Sequence, residues 1–236
     1  MIKNDEIHLW LSYPNEIQDL FLLKNYEKLM TEEERIQHKK FHFPKHRHQY
    51  LVSRALMRTI LSQYTNIKPE DLSFIKNKYG KPEISQDIRF NLSHTDDLIA
   101  LGIVLKQDIG VDVENINRQG NFLEISDRFF SKIEVQNLNN LPLEKRLIRF
   151  FDYWTLKESY IKAKGMGLSI PLEQFSFHIS ENMTIQISFD KILTDNPSNW
   201  KFWLMSPSQI HKLAVAIYNL SNINYNIISK KVVPLI

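Results

Sequence analysis

The sequence predicts an α+β fold, on three observations. Helical and strand-like patterns follow one another without the regular strand–helix–strand alternation of a parallel α/β sheet. Two capping boxes, one in each half of the chain, open helices. Four strand-like segments lie close together near the C-terminal end.

Taken in order, Ile7–Tyr13 alternates apolar and polar residues as a half-buried strand does. Thr31-Glu-Glu-Glu34 pairs an N-cap hydroxyl with a glutamate three residues on, so a helix is expected from there towards Phe41. Pro44 starts a second helical stretch, with Leu51, Ala55, Ile60 and Leu61 at roughly helical spacing. Tyr79-Gly-Lys-Pro82 is a turn, and Phe90-Asn-Leu-Ser-His94 a short strand with a polar end. Leu98–Leu105, Lys106-Gln-Asp108 and Ile109–Glu114 read as strand, turn and strand, which predicts a hairpin. Ser131-Lys-Ile-Glu134 is the second capping box, and a long helix from about Glu144 to Lys164 stops at Gly165. Gln174–Ile179, Thr184–Phe189, Lys201–Met205 and Ala214–Ile217 are the four late strands. No repeat of 20–50 residues is visible, and no low-complexity linker.

Composition narrows the chemistry. The 236 residues contain no cysteine, which removes disulfides, thiolate metal sites and cysteine nucleophiles; a metal must bind through oxygen or histidine. The start, MIKNDEIHLWLSYP, carries charges where a signal peptide needs an apolar core. Leu98–Leu105 is the longest apolar run and falls far short of the roughly 20 residues of a membrane helix, so a cytoplasmic protein without membrane contact is expected. Charge is uneven: no acidic residue lies from Arg35 to Pro69, while Arg35, Lys39, Lys40, Lys45, Arg47, Arg54, Arg58 and Lys68 do, making this the main candidate anion-binding stretch. His38, His42, His46 and His48 in the same stretch could in principle ligate zinc, although no HExxH pattern accompanies them.

In Ile109-Gly-Val-Asp-Val-Glu114, strand geometry puts Gly110, Asp112 and Glu114 on one face. Two carboxylates about 5 Å apart at an effective dielectric near 20 repel by roughly 3 kcal/mol, which calls for a cation or for water. Hard oxygen ligands suit magnesium, with manganese as a substitute. An exposed edge strand with a charged outer face is the other reading. On the long helix, Leu147, Phe151 and Trp154 form an apolar stripe that Glu158 continues. A carboxylate there needs a partner, either a metal or Lys162 one turn on; a plain surface Glu–Lys pair is the alternative. Lys157 and Lys162 could grip a phosphate beside the metal, and His94 with Ser93 could donate to one.

Tyr79-Gly-Lys-Pro82, Phe90-Asn-Leu-Ser-His94, Ile109-Gly-Val-Asp-Val-Glu114 and Phe151-Asp-Tyr-Trp-Thr-Leu-Lys-Glu-Ser-Tyr-Ile-Lys-Ala-Lys-Gly165 together resemble the signatures of the 4′-phosphopantetheinyl transferases, in order and approximate spacing. The length and Met166-Gly-Leu-Ser-Ile-Pro-Leu-Glu-Gln-Phe-Ser176 are similar to the larger, surfactin-synthetase-activating (Sfp-type) branch. The resemblance implies two similar α/β subdomains in one chain, related by a pseudo-twofold axis, with coenzyme A in the cleft between them; it places the boundary at 1–106 and 107–236. It implies a magnesium-dependent transfer of 4′-phosphopantetheine from coenzyme A to a serine of an apo acyl or peptidyl carrier protein, releasing 3′,5′-ADP. Such carriers serve nonribosomal peptide, polyketide or fatty acid synthesis. Asp112, Glu114 and Glu158 become the metal ligands, and Asp112, Glu158 and Lys162 the catalytic set. Lys162 and Lys157 fall near the pyrophosphate, Ser93 and His94 on coenzyme A phosphates, Lys81 near the adenylate, and Lys39, Lys40 and Arg47 near the 3′-phosphate. A monomer is expected, with the carrier docking at Met166, Leu168, Pro171 and Leu172 beside Lys164 unless these residues are core. The competing expectation is a nucleic-acid-binding protein that uses segment 35–68.

Overall fold

A computed structural model describes residues 2–236, and the chain divides into two units. Met1–Ile75, Pro82–Lys106 and Tyr225–Ile236 form the first; Lys76–Lys81 and Gln107–Asn224 form the second. A single cut after residue 106 differs from this division at Lys76–Lys81 and at the C-terminal segment.

The first unit contains β1 (Glu6–Ser12), α1 (Leu20–Leu29), α2 (Glu32–Lys40), α3 (Pro44–Thr65), the two-residue β2 (Ile75–Lys76), whose second residue already counts with the other unit, the two-residue β3 (Pro82–Glu83), β4 (Ile88–Thr95) and β5 (Leu98–Leu105). The second runs β6 (Ile109–Asn115), α4 (Phe122–Phe129), α5 (Lys132–Asn139), α6 (Leu143–Lys164), β7 (Phe175–Ile179), β8 (Ile185–Phe189), β9 (Trp200–Ser208) and β10 (His211–Tyr218), after which β11 (Asn226–Lys231) belongs to the first unit. Each unit therefore reads strand, three helices, two short strands and a hairpin. The pairing repeats as well: β1 lies antiparallel to β5 and β5 to β4, as β6 does to β10 and β10 to β9. β11 adds a parallel strand to β1 in the first unit.

Local sequence explains the helices. Both capping boxes form, Thr31 with Glu34 and Ser131 with Glu134. The two longest helices, α3 and α6, have 22 residues each and end in a left-handed residue, Asn66 (φ 56°) and Gly165 (φ 64°). Val52, Leu56, Met57 and Ile60 of α3 are buried with Phe90, Ile99, Leu101 and Ile103; Phe150, Phe151, Leu156 and Tyr160 of α6 are buried with Phe175, Phe177, Ala214 and Ala216. Each large apolar side chain removed from water contributes about 2 kcal/mol, so each long helix is held chiefly by its sheet-facing side.

Three expectations change. The hairpin over Leu98–Glu114 does not form: β5 takes β1 and β4 as partners, and β6 takes β10. The reversal falls one connection earlier, between β4 and β5, where Asp97 adopts φ 68°. Leu147 is exposed, so the buried stripe of α6 runs through Phe150 and Phe151 instead. The basic stretch is not one outward face, because Arg58 is 1% exposed: its Nε donates to Glu34 Oε2 at 2.9 Å and its Nη1 to the carbonyls of Pro69 and Leu72. Arg54 also lies near Glu34, at 3.9 Å. Among the described residues, no helix is long and apolar enough to cross a membrane.

Candidate active site

Gly110 decides where α6 lies. A Cβ built on it would sit 1.9 Å from the Ser159 carbonyl oxygen and 2.4 Å from the Ala163 nitrogen, so the helix backbone rests directly on β6 at this residue. Asp112 and Glu114 share that face of the strand and are thereby brought beside the last turns of α6. Asp112 is buried and accepts from Lys162 Nζ at 2.6 Å. Glu114 accepts from Arg118 Nη1 at 3.1 Å.

The electrostatics follow from this crowding. Burial, then the Asp112 carboxylate, pushes Glu114 up to about 7, against the pull of Arg118 and Lys162. Glu158 is raised by burial and by Asp112, with Lys162 opposing. Three carboxylates thus face two cations. Among the described residues, no group of three or more His, Asp or Glu side chains is already drawn together at metal-ligand geometry. The donor chemistry nevertheless fits a hard divalent cation: carboxylate oxygens in partly buried positions, whose mutual repulsion such an ion would relieve.

A pH dependence follows, with its sign fixed by linkage. Glu114 binds its proton more tightly in the folded chain, so its contribution to stability is complete below the ordinary carboxylate range and is lost as pH rises through about 7. In chelator, denaturant titrations at pH 5 and pH 8 are expected to show a larger drop for the wild type than for Glu114→Gln. Equal drops contradict the assignment.

Two further lysines are held by carbonyl oxygens of the fold. Lys157 is fully buried: its Nζ pairs with Glu134 Oε2 at 2.8 Å and donates to the carbonyls of Leu172 at 2.8 Å and Phe175 at 2.6 Å. Its three N–H bonds are committed, which corrects its expected place at a pyrophosphate. Burial lowers its pKa, with Glu134 opposing. Lys81 donates to the carbonyls of Ile109 at 3.1 Å and Ala163 at 3.2 Å, tying the Lys76–Lys81 segment to the start of β6 and the end of α6.

The family model described as the 4′-phosphopantetheinyl transferase superfamily matches residues 108–217, and one described as 4′-phosphopantetheinyl transferase, N-terminal, matches residues 20–104. The chain is 32% identical to the 4′-phosphopantetheinyl transferase HetI of Nostoc sp. over 71% of its length and 72% of that protein's. It is 30% identical to Sfp of Bacillus subtilis over 81% of this chain and 84% of that one. The chain belongs to the 4′-phosphopantetheinyl transferases, of the Sfp type. A third relative, gsp of Aneurinibacillus migulanus, is 34% identical over 75% of this chain and 72% of its own. Among solved structures, the holo-[acyl-carrier-protein] synthase of Thermotoga maritima aligns with TM-score 0.39 at 16% identity, covering 48% of this chain and 62% of that one.

In this phosphopantetheinyl transferase, the structure brings together Asp112, Glu114, Glu158 and Lys162, all in the second unit. Lys39, Lys40, Arg47, Ser93 and His94 belong to the first. Lys39 and Lys40 are exposed at the end of α2, and Arg47, in the first turn of α3, donates to the Phe41 carbonyl at 2.8 Å. Ser93 is buried in β4 while His94 is exposed. Of the four basic-stretch histidines, His48 bonds the Pro14 carbonyl at 2.9 Å and His38 stacks on Tyr50. Leu172 is buried and Pro171 half-buried, so the expected carrier-docking patch is partly core. Sequence reasoning missed Arg118, which lies in the irregular chain after β6 where no periodicity marks it, and the Lys212–Asp152 pair at 2.9 Å, whose partners come from β10 and α6.

Proposed function

We propose that this transferase moves the 4′-phosphopantetheine group of coenzyme A to a serine hydroxyl of an apo acyl or peptidyl carrier protein and releases 3′,5′-ADP. The observation that carries the reading is the group Asp112, Glu114, Glu158 and Lys162, assembled around Gly110 with more negative charge than its own cations balance. Asp112, Glu114 and Glu158 would hold a magnesium ion, or manganese in its place; when bound, such an ion neutralises charge on a pyrophosphate.

The chain's own groups account for the remaining needs of phosphoryl-type transfer, which are positioning and charge neutralisation. The serine oxygen bonds to the β-phosphorus as the bond to the bridging oxygen breaks, and that oxygen leaves with 3′,5′-ADP. Lys162 supplies an ammonium for the charge on the leaving oxygen. Glu158, whose raised pKa makes it a better proton acceptor than an ordinary carboxylate, takes the serine proton. Ser93 and His94 are assigned to coenzyme A phosphates, and Lys39, Lys40 and Arg47 to the 3′-phosphate. We place the enzyme in the cytoplasm as a monomer, where its acidic carrier partners are met through salt-sensitive encounters.

Two exposed phosphate contacts contribute up to about 1 kcal/mol each. Lys39→Ala combined with Lys40→Ala is therefore expected to raise KM for coenzyme A about fivefold and leave kcat unchanged; an unchanged KM removes both residues from the site. Calorimetry against coenzyme A and a gel shift against nucleic acid separate this function from the competing one. Coenzyme A binding is expected, whereas a salt-dependent shift without it overturns the proposal.

A further inference from the structure

The two units repeat a buried charge as well as a topology. In the second, Lys157 of α6 pairs with Glu134, the glutamate of the α5 capping box, and donates to two carbonyls three residues apart, Leu172 and Phe175, in the segment that follows the helix. In the first, Arg58 of α3 pairs with Glu34, the glutamate of the α2 capping box, and donates to two carbonyls three residues apart, Pro69 and Leu72, again in the segment that follows the helix. The cation rests near an aromatic ring in both, Phe175 at 4.3 Å and Phe74 at 5.3 Å.

A buried ion pair is weak evidence for stability, since apolar residues of similar size often serve as well; fixing one arrangement among several is a better-attested use. Each pair ties three segments together: the long helix, the start of the short helix before it and the strand or turn after it. In the second unit the tied helix carries Glu158, adjacent in sequence to Lys157, and Lys162 further along. The strand β6 supports α6 on one side, where Gly110 allows the approach. The Lys157 side chain holds another side, through Glu134, Leu172 and Phe175.

We propose that the Lys157–Glu134 pair is a positioning device for transfer, locking α6 so that Glu158 and Lys162 meet Asp112. This rests on the function proposed above. Lys157 does not touch substrate; it acts through the helix. The Arg58–Glu34 pair does the same for α3 in a unit that lacks the carboxylate group, and so provides an internal control.

The test compares Glu134→Gln with Lys157→Met, which removes both charges of one pair, against Glu34→Gln with Arg58→Met. Steady-state constants are normalised to the folded fraction from circular dichroism. The first double variant is expected to lose about 100-fold in kcat with KM for coenzyme A little changed, since a shift of about 1 Å in reacting groups costs that much. The second is expected to keep kcat and to raise KM. An unchanged kcat in the first variant, or equal kcat losses in both, overturns the proposal. If the first double variant does not fold, Glu134→Gln alone is expected to lose about tenfold in kcat, and an unchanged value again overturns it. Amide hydrogen exchange needs no substrate: faster exchange over residues 157–164 is expected in the first variant. Unchanged protection there sinks the positioning claim even if the wild type proves to have no transfer activity, which would instead count against the proposed function.

Discussion

Asp112→Ala and Glu158→Ala are each expected to lower kcat by about 10³-fold while leaving the unfolding midpoint, measured in chelator, at or slightly above that of the wild type. The size follows from the loss of one preorganised charged group where phosphate charge develops. The sign of the stability effect follows from the crowding. Asp112 raises Glu158 and Glu114 by repulsion, so deleting it relieves both, and deleting Glu158 removes one member of the repelling set. Lys162, half-exposed in its pair with Asp112, retains Glu158 as a partner when Asp112 is gone. A site group whose removal abolishes activity without weakening the fold is hard to reconcile with a mere structural ion pair. Full activity of either variant in magnesium contradicts the site, and a large loss of stability points to a structural role instead.

Gly110→Ala has the second largest expected effect, and it fails in the opposite way. The added methyl meets backbone atoms, Ser159 O at 1.9 Å and Ala163 N at 2.4 Å, which cannot rotate aside as a side chain could. The strand and α6 must separate, at a cost of about 3 kcal/mol, the upper end of ordinary overpacking. Since the Lys162–Asp112 pair spans that same junction, transfer per folded molecule is expected to fall about 100-fold as well. Denaturant titration and kinetics on the folded fraction check both parts. An alanine variant with wild-type stability would show that α6 does not rest on the strand at this point.

The legible parts of the chain were those fixed by local chemistry. Thr31 with Glu34 and Ser131 with Glu134 are complete within four residues, and both boxes form. Gly165 ends α6 because a left-handed residue there suits glycine. Asp112 and Glu114 were readable as sharing a face because strand periodicity is two. Other features depended on partners far along the chain. β5 and β6 are neighbours in sequence, yet their partners β1 and β10 lie roughly a hundred residues away on either side, so a local reading joined them as a hairpin. Short β11, largely exposed, has little apolar signal and forms by pairing with β1. Lys157 and Arg58 misled for one shared reason: a cation on a helix reads as a surface charge unless the distant glutamate and carbonyls that receive it are known. The repeated topology was legible only through the family resemblance, because the two units share pairing order without recognisable sequence periodicity.

The most direct measurement is intact mass spectrometry of a panel of apo carrier proteins incubated with coenzyme A, magnesium and the enzyme. At least one carrier is expected to gain the mass of a single phosphopantetheine on its serine, with 3′,5′-ADP released in equal amount and no gain when that carrier serine is replaced by alanine. Unmodified carriers across the panel, with an enzyme that is folded and binds coenzyme A, would contradict the account.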